Sequence, residues 1–282
     1  MEVQADRDSE RPFVNESIPS ANEPFGGQFR RRGLLVAMAA VGGAGLAACA
    51  PSSGSGAASE ASDSSVAGRT TDGLPDLAPN SVVDAFARQR AVPVLRDSSA
   101  EAARRTAETW AEAGATTVEL TTSVPDVFSL VPRLVSQGLT VGVGTMRTAE
   151  QVTRAAEAGA TFVLSFATFP ELISTAVERG ITPIPGTMTP TEIFNSLAAP
   201  MIKVFPASVL GPDYQADLSV LFPGIRTVAT GGITSDPADS RAWLAAGATA
   251  VGPAGDLFGD PNEEPAPRVR RRIEAYLAAL RG

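Results

Sequence analysis

The chain contains no histidine at all. Ser–His and Cys–His nucleophile pairs, imidazole acid–base chemistry and His-ligated metals are therefore excluded. A single cysteine, Cys49, excludes an internal disulfide and any thiolate metal cluster. Lysine is almost as scarce: of 23 basic residues only Lys203 is a lysine, and the rest are arginines. Positive charge in excess is missing too. A formal charge of −8 argues against nucleic acid, which selects for basic patches. What remains is ordinary for a globular chain: 282 residues, 44% hydrophobic and 19% charged, enough for one large domain or two small ones. Where nearly every cation is an arginine, the one lysine points to a task a guanidinium cannot perform.

The chain divides by composition into residues 1–49, 50–80 and 81–282. Residues 1–29 are polar, without an apolar period, and read as disordered. Arg30-Arg31-Arg32-Gly33-Leu34-Leu35 then opens an uncharged run that ends at Leu46-Ala47-Ala48-Cys49. This run is shorter than the ~20 apolar residues a spanning helix needs, and fits a secretory signal instead. Two arginines before Gly-Leu-Leu resemble a twin-arginine export signal. Leu-Ala-Ala-Cys resembles the lipobox of bacterial lipoproteins, which implies a lipidated Cys49, membrane attachment and an extracytoplasmic location. A buried Ala/Gly helix with a core cysteine is the competing reading. From Ala50 to Asn80 the Ser/Ala/Gly-rich sequence is a flexible spacer.

From Ser81 onward one pattern recurs: a helical stretch, a glycine, one residue, then strand formers. The glycines are Gly114, Gly138, Gly159, Gly180, Gly224 and Gly247, at intervals of roughly 22 residues with one interval doubled. Each reads as a helix stop in the left-handed conformation. Met201-Ile202-Lys203-Val204-Phe205 supplies a strand inside the doubled interval, and Ala91-Val92-Pro93-Val94-Leu95 the first. Strands near 91, 116, 139, 160, 181, 201, 226 and 248, each followed by a helix-length segment, predict a parallel α/β (β/α)₈ TIM barrel. An open doubly wound sheet is the runner-up, but no Gly-x-Gly-x-x-Gly turn follows the first strand. The arginines of a final helix, Arg268–Leu280, read as a solvated face.

Alternation along the strands then sorts the side chains. If Lys203 points inward, Met201 and Phe205 join it, and Ile202 and Val204 face the helices. If Glu119 points inward, Val118 and Leu120 face the helices. Both registers place a charge inside the barrel, where it is expensive without a role. Lysine, unlike arginine, can lose its proton and attack a carbonyl as a neutral amine. At a pKa of about 10.4, fewer than about one amine in a thousand is neutral at pH 7. Desolvation to about 7–8 recovers about 4 kcal/mol of that deficit. Glu119 is the plausible proton carrier beside it; a Lys–Glu pair that merely caps the barrel end is the bland alternative.

The string Ile202-Lys203-Val204-Phe205-Pro206-Ala207 resembles the Schiff-base segment of the 2-keto-3-deoxy-6-phosphogluconate / 4-hydroxy-2-oxoglutarate aldolase family. So do Val118-Glu119-Leu120-Thr121, Gly142-Val143-Gly144-Thr145, Pro185-Gly186-Thr187-Met188-Thr189-Pro190-Thr191-Glu192 and Ala229-Thr230-Gly231-Gly232-Ile233, all in family order. The resemblance implies a class I aldolase on a (β/α)₈ barrel, a homotrimer, with no metal and no cofactor. It implies an imine on Lys203 and proton movement by Glu119. Substrate contacts are implied for Arg96, Gly144, Thr145, Thr121, Phe205 and Thr230, with Arg96 as carboxylate clamp because Ser123 stands where some members carry that arginine. A phosphate-like pocket is implied at Gly231, Gly232 and Gly252.

Two departures stand out. After Gly252, Pro253 removes an N–H donor and Asp256 brings a negative charge; read as a helix cap Asp256 still competes with an anion, and both speak against a phosphorylated substrate. Phe166 replaces a proline after the fourth strand, at the pocket mouth. The expected function is cleavage of a 4-hydroxy-2-oxo acid, a small molecule, to pyruvate and an aldehyde; a non-catalytic 2-oxo-acid-binding lipoprotein is the alternative.

Overall fold

A computed structural model describes residues 79–282, apart from Ala254, Pro261 and Gly282. The expected export signal with Cys49, and the expected spacer up to residue 78, lie outside the described residues. The Asn80 Oδ1 accepts from the Val82 and Val83 N–H groups at 3.0 and 3.1 Å. This cap starts α1 (Ser81–Gln89), a helix the sequence reading did not name.

Strands and helices then alternate as β1 (Val94–Leu95), α2 (Ala100–Glu112), β2 (Thr117–Thr121), α3 (Val127–Ser136), β3 (Thr140–Met146), α4 (Ala149–Glu157) and β4 (Phe162–Ser165). The second half runs α5 (Pro170–Glu178), β5 (Thr182–Ile184), β6 (Gly186–Thr187), α6 (Pro190–Asn195), β7 (Ile202–Val204), α7 (Ala207–Leu221), β8 (Thr227–Ile233), α8 (Pro237–Ala245) and β9 (Ala250–Pro253). A 3-10 turn, Gly255–Leu257, leads to α9 (Ala266–Arg281). Local chemistry sets many of the helix starts: Ser99, Thr148 and Thr189 each accept a backbone N–H one turn ahead, and Glu192 completes a capping box with Thr189. The six repeat glycines stop the preceding helices with φ between 69° and 106°.

All strand pairs are parallel, in two runs, β1 to β5 and β6 to β9. β5 and β6 are one stave split at Pro185, which has no N–H but whose carbonyl still accepts from Lys203 N–H at 2.9 Å. The remaining seam closes at Ala91, bridged to Val251, with Val92 N–H donating to Val251 O at 2.8 Å. The result is the closed (β/α)₈ barrel with eight staves. Its first stave is shorter than expected because Pro93 interrupts the ladder between Ala91 and Val94.

The core has two shells. Outward residues Val118, Leu120, Ile202 and Val204 pack under the helices. The inner shell is sealed from below by α1, whose Val82, Val83 and Phe86 pack with Val92, Phe162, Met201 and Val228 at strand beginnings. Phe86 is fully buried and meets Phe162 edge to face at 5.1 Å. Gln89 fastens the helix end: its Nε2 donates to Ala91 O and Thr117 O, and its Oε1 accepts from Thr116 and Thr117 N–H. Removing the plug's ring by Phe86→Ala is expected to cost about 3–5 kcal/mol, read from urea unfolding. A loss below about 1 kcal/mol would show that α1 is not part of the core.

On α9, Arg270 does sit on the solvated face, pairing with Glu274 and Glu112. Arg272 does not fit that reading: it is half-buried, donates to Leu257 O at 2.7 Å and pairs with Glu264.

Candidate active site

Period-two alternation turns Thr117, Glu119 and Thr121 of β2 into the barrel, and β7 does the same for Lys203. Glu119 and Lys203 are 1% and 2% exposed. Around the amine, Met201 belongs to the inner apolar shell, and the Phe205 ring centroid lies 5.2 Å from Nζ. Burial pushes the Lys203 amine well below the usual lysine range; the Glu119 charge opposes this, and Arg96 adds to it. Burial likewise pushes the Glu119 carboxyl up, while Lys203 and Arg96 pull it back. Each group is thus driven toward its uncharged form, the form in which an amine is a nucleophile and a carboxyl is a proton donor.

Glu119 Oε1 is buried and has no hydrogen-bond partner. It lies directly over Gly144, where a Cβ would come within 1.7 Å of it. Gly144 is therefore glycine to make room for the carboxyl. Gly144→Ala is expected to displace Glu119 and lower kcat by about 10²-fold with the fold intact, measured by steady-state kinetics and circular dichroism. Unchanged kcat would dissociate the carboxyl's position from turnover.

The next residue, Thr145, has φ of 62°, an uncommon left-handed backbone for a non-glycine residue. Thr122 Oγ1 supports it by donating to Thr145 O at 3.1 Å. The Thr145 hydroxyl accepts from Arg96 Nη1 at 3.2 Å, so an exposed guanidinium from the end of β1 is held at the mouth beside Gly144. These three residues come together as expected from the sequence.

Thr121 does not join them. Its buried hydroxyl donates to Leu95 O at 2.9 Å and sits 2.6 Å from Ser123 Oγ, which ties down the end of β1 just before Arg96. The physical reason is the partner rather than the level: Thr121 is in register with Gly144, but Leu95 O and Ser123 Oγ occupy its hydroxyl. Thr230 differs. It points inward on β8, 1% exposed, and its Oγ1 has no partner, so a polar atom is left open beside the amine's stave.

Phe205 is half-buried and lies against Gly231, where a Cβ would come within 2.8 Å of the ring. Gly232 faces Ser208 in the same way, at 2.4 Å. Gly252 is buried within β9, and its missing Cβ makes room for the Thr230 methyl at 2.7 Å. It is a packing glycine under Thr230.

Phe166 stands exposed at the mouth, edge to face with Phe169, and the Arg147 guanidinium lies 5.6 Å from its ring centroid. Arg147 is a rim cation that sequence reasoning missed. Its only signal was its place directly after β3. Among the described residues, no three acidic or cysteine side chains gather into a group that could hold a metal ion.

The family model for KDPG and KHG aldolase matches residues 82–264, from the plug helix to the turn before α9. The chain belongs to this family. A 2-dehydro-3-deoxy-6-phosphogalactonate aldolase from Escherichia coli (strain K12) is 32% identical to this aldolase over 177 residues, covering 60% of this chain and 85% of the relative. A probable 2-dehydro-3-deoxy-6-phosphogalactonate aldolase from Rhizobium meliloti (strain 1021) is 32% identical over 194 residues, covering 67% and 90%. Among solved structures, a 4-hydroxy-2-oxoglutarate/2-dehydro-3-deoxyphosphogluconate aldolase from TTHB1 aligns with a TM-score of 0.62 at 28% identity, covering 70% of this aldolase and 98% of that chain.

Proposed function

We propose that this class I aldolase cleaves a 4-hydroxy-2-oxo acid to pyruvate and an aldehyde through an imine on Lys203. The observation that carries the proposal is the chain's only lysine, 2% exposed among apolar groups and electrostatically coupled to one buried carboxyl. Arg96 and Thr145 hold the substrate carboxylate. The neutral amine adds to the C2 carbonyl, and Glu119 gives the proton with which water leaves. The iminium accepts the electron pair as the C3–C4 bond breaks, while the Glu119 carboxylate takes the proton of the 4-hydroxyl. The aldehyde departs. The remaining enamine is protonated at C3 from Glu119, and water returns pyruvate and free lysine. Protons and electrons balance without an external redox partner. The test is pyruvate release from 4-hydroxy-2-oxo acids, together with borohydride trapping of a pyruvate adduct. No adduct on the wild-type chain would reject the reading.

We further propose that the enzyme is exported and anchored on the extracytoplasmic side through lipidated Cys49. The support is sequence alone: Arg30-Arg31 ahead of Gly-Leu-Leu, and Leu46-Ala47-Ala48-Cys49 at the run's end. Cys49→Ala should free it from membranes; undiminished membrane association would refute the anchor. Assembly as a homotrimer is supported by exposed Phe166, Met188, Phe194 and Val209, which follow β4, β6 and β7. Light scattering should give three chains per particle, and monomers for Phe194→Asp; a monomeric wild type would overturn it.

A further inference from the structure

We propose that this aldolase takes 2-oxo acids whose tail ends in uncharged hydroxyl groups, and that Asp256 is the specificity-determining residue that turns away a phosphate ester. The inference rests on the aldolase reading above and deepens it.

With the carboxylate at Arg96 and the carbonyl at Lys203, part of the wall left for the tail is β8 and β9. Lys203 pairs with Val228, so Thr230, with its open hydroxyl, is the next inward group on the neighbouring stave. Beyond it the chain turns through Gly231 and Gly232, both with positive φ, into the loop before α8. A loop of backbone N–H groups at a helix start ordinarily attracts an anion. Here the protein supplies its own. Ser235 N–H donates to Asp256 Oδ2 at 2.9 Å, and Thr234 N–H to Asp239 Oδ2 at 2.9 Å. Asp236 Oδ1 accepts from Ala238 N–H at 2.8 Å. On the facing strand Pro253 has no N–H to give.

The nearby Arg272 is already engaged by Leu257 O and Glu264. Residues 231–239 and 252–260 contain Asp236, Asp239, Asp256 and Asp260, and neither lysine nor arginine. None of the ion pairs among the described residues involves them. A phosphate dianion at this rim meets like charge, and the Thr234, Ser235 and Ala238 N–H donors are already taken. A hydroxyl meets acceptors, the Asp carboxylates and Thr230 Oγ1, to which it can donate.

The experiment compares kcat/KM for 2-dehydro-3-deoxygalactonate and its 6-phosphate, with borohydride trapping of pyruvate run alongside. The wild type is expected to favour the unphosphorylated acid by at least tenfold. Asp256→Asn keeps an acceptor for Ser235 N–H and removes only the charge. It is expected to move the ratio at least tenfold toward the phosphate, with pyruvate trapping unchanged. Preference for the phosphate by the wild type, or an unmoved ratio in Asp256→Asn, overturns this inference and leaves the aldolase reading standing. Trapping without cleavage of either compound also overturns it, since neither tail is then accepted. Absence of trapping overturns the aldolase reading, and the inference falls with it.

Discussion

Lys203→Met should abolish turnover, and combined with Glu119→Gln it should leave the protein more stable than the wild type. Methionine fills the same apolar space in the barrel but has no amine to form an imine, so cleavage falls to background. Intact-mass measurement after borohydride and pyruvate should show one adduct on the wild type and none on the variant. With a single lysine in the chain, an adduct surviving the substitution would have to sit on the N-terminal amine, and the proposed chemistry would be wrong. The stability half follows from the direction of the amine's shift. Its folded value is held below the unfolded one, so the folded state disfavours the proton that the unfolded lysine carries. That penalty is full below the depressed value and fades as pH rises toward 10.5. Glu119 adds the mirror-image penalty: its raised value costs stability as pH climbs from 4.5 through the raised value and above. Replacing both charges, as in Lys203→Met with Glu119→Gln, should raise unfolding stability at pH 7 by about 1–4 kcal/mol. A less stable double variant would mean the pair holds the barrel together.

Glu119→Gln should lower kcat by about 10²–10⁴-fold while the imine with pyruvate still forms, more slowly. The pH profile supplies a readout that loss of packing alone would not move. Activity must fall on the acid side as Lys203 takes up its proton. Glu119 raises the amine's pKa, so removing its charge should shift that acid limb to lower pH. A limb that stays in place, or moves upward, would separate the carboxyl from the amine's titration.

Much of this site was readable in advance because two simple periodicities carried it. Glycine-stopped helices marked the repeat, and inside–outside alternation fixed Glu119 and Lys203 from their aliphatic neighbours. Parallel strands covered by helices make that alternation legible only where a charge interrupts it, as in Val118-Glu119-Leu120 and Ile202-Lys203-Val204. Other features depend on contacts distant in sequence. Helix α1 was invisible because Ser81–Gln89 adjoins a spacer-like stretch, and its plug function depends on Phe162, far along the chain. Thr121 and Thr230 look equivalent as strand threonines. Only the nearness of the Leu95 carbonyl commits one hydroxyl and leaves the other open. Asp256 was readable as a charge in an unexpected place, but its partner at Ser235 required the fold.

The helix stopper beneath the staves has a kinetic consequence. A vessel closed at the bottom has one doorway, and both halves of a cleaved molecule must use it. On the proposed imine mechanism the fragment bonded to Lys203 sits deeper, so the aldehyde exits before pyruvate is set free. In the reverse direction pyruvate enters first, and the aldehyde queues behind it.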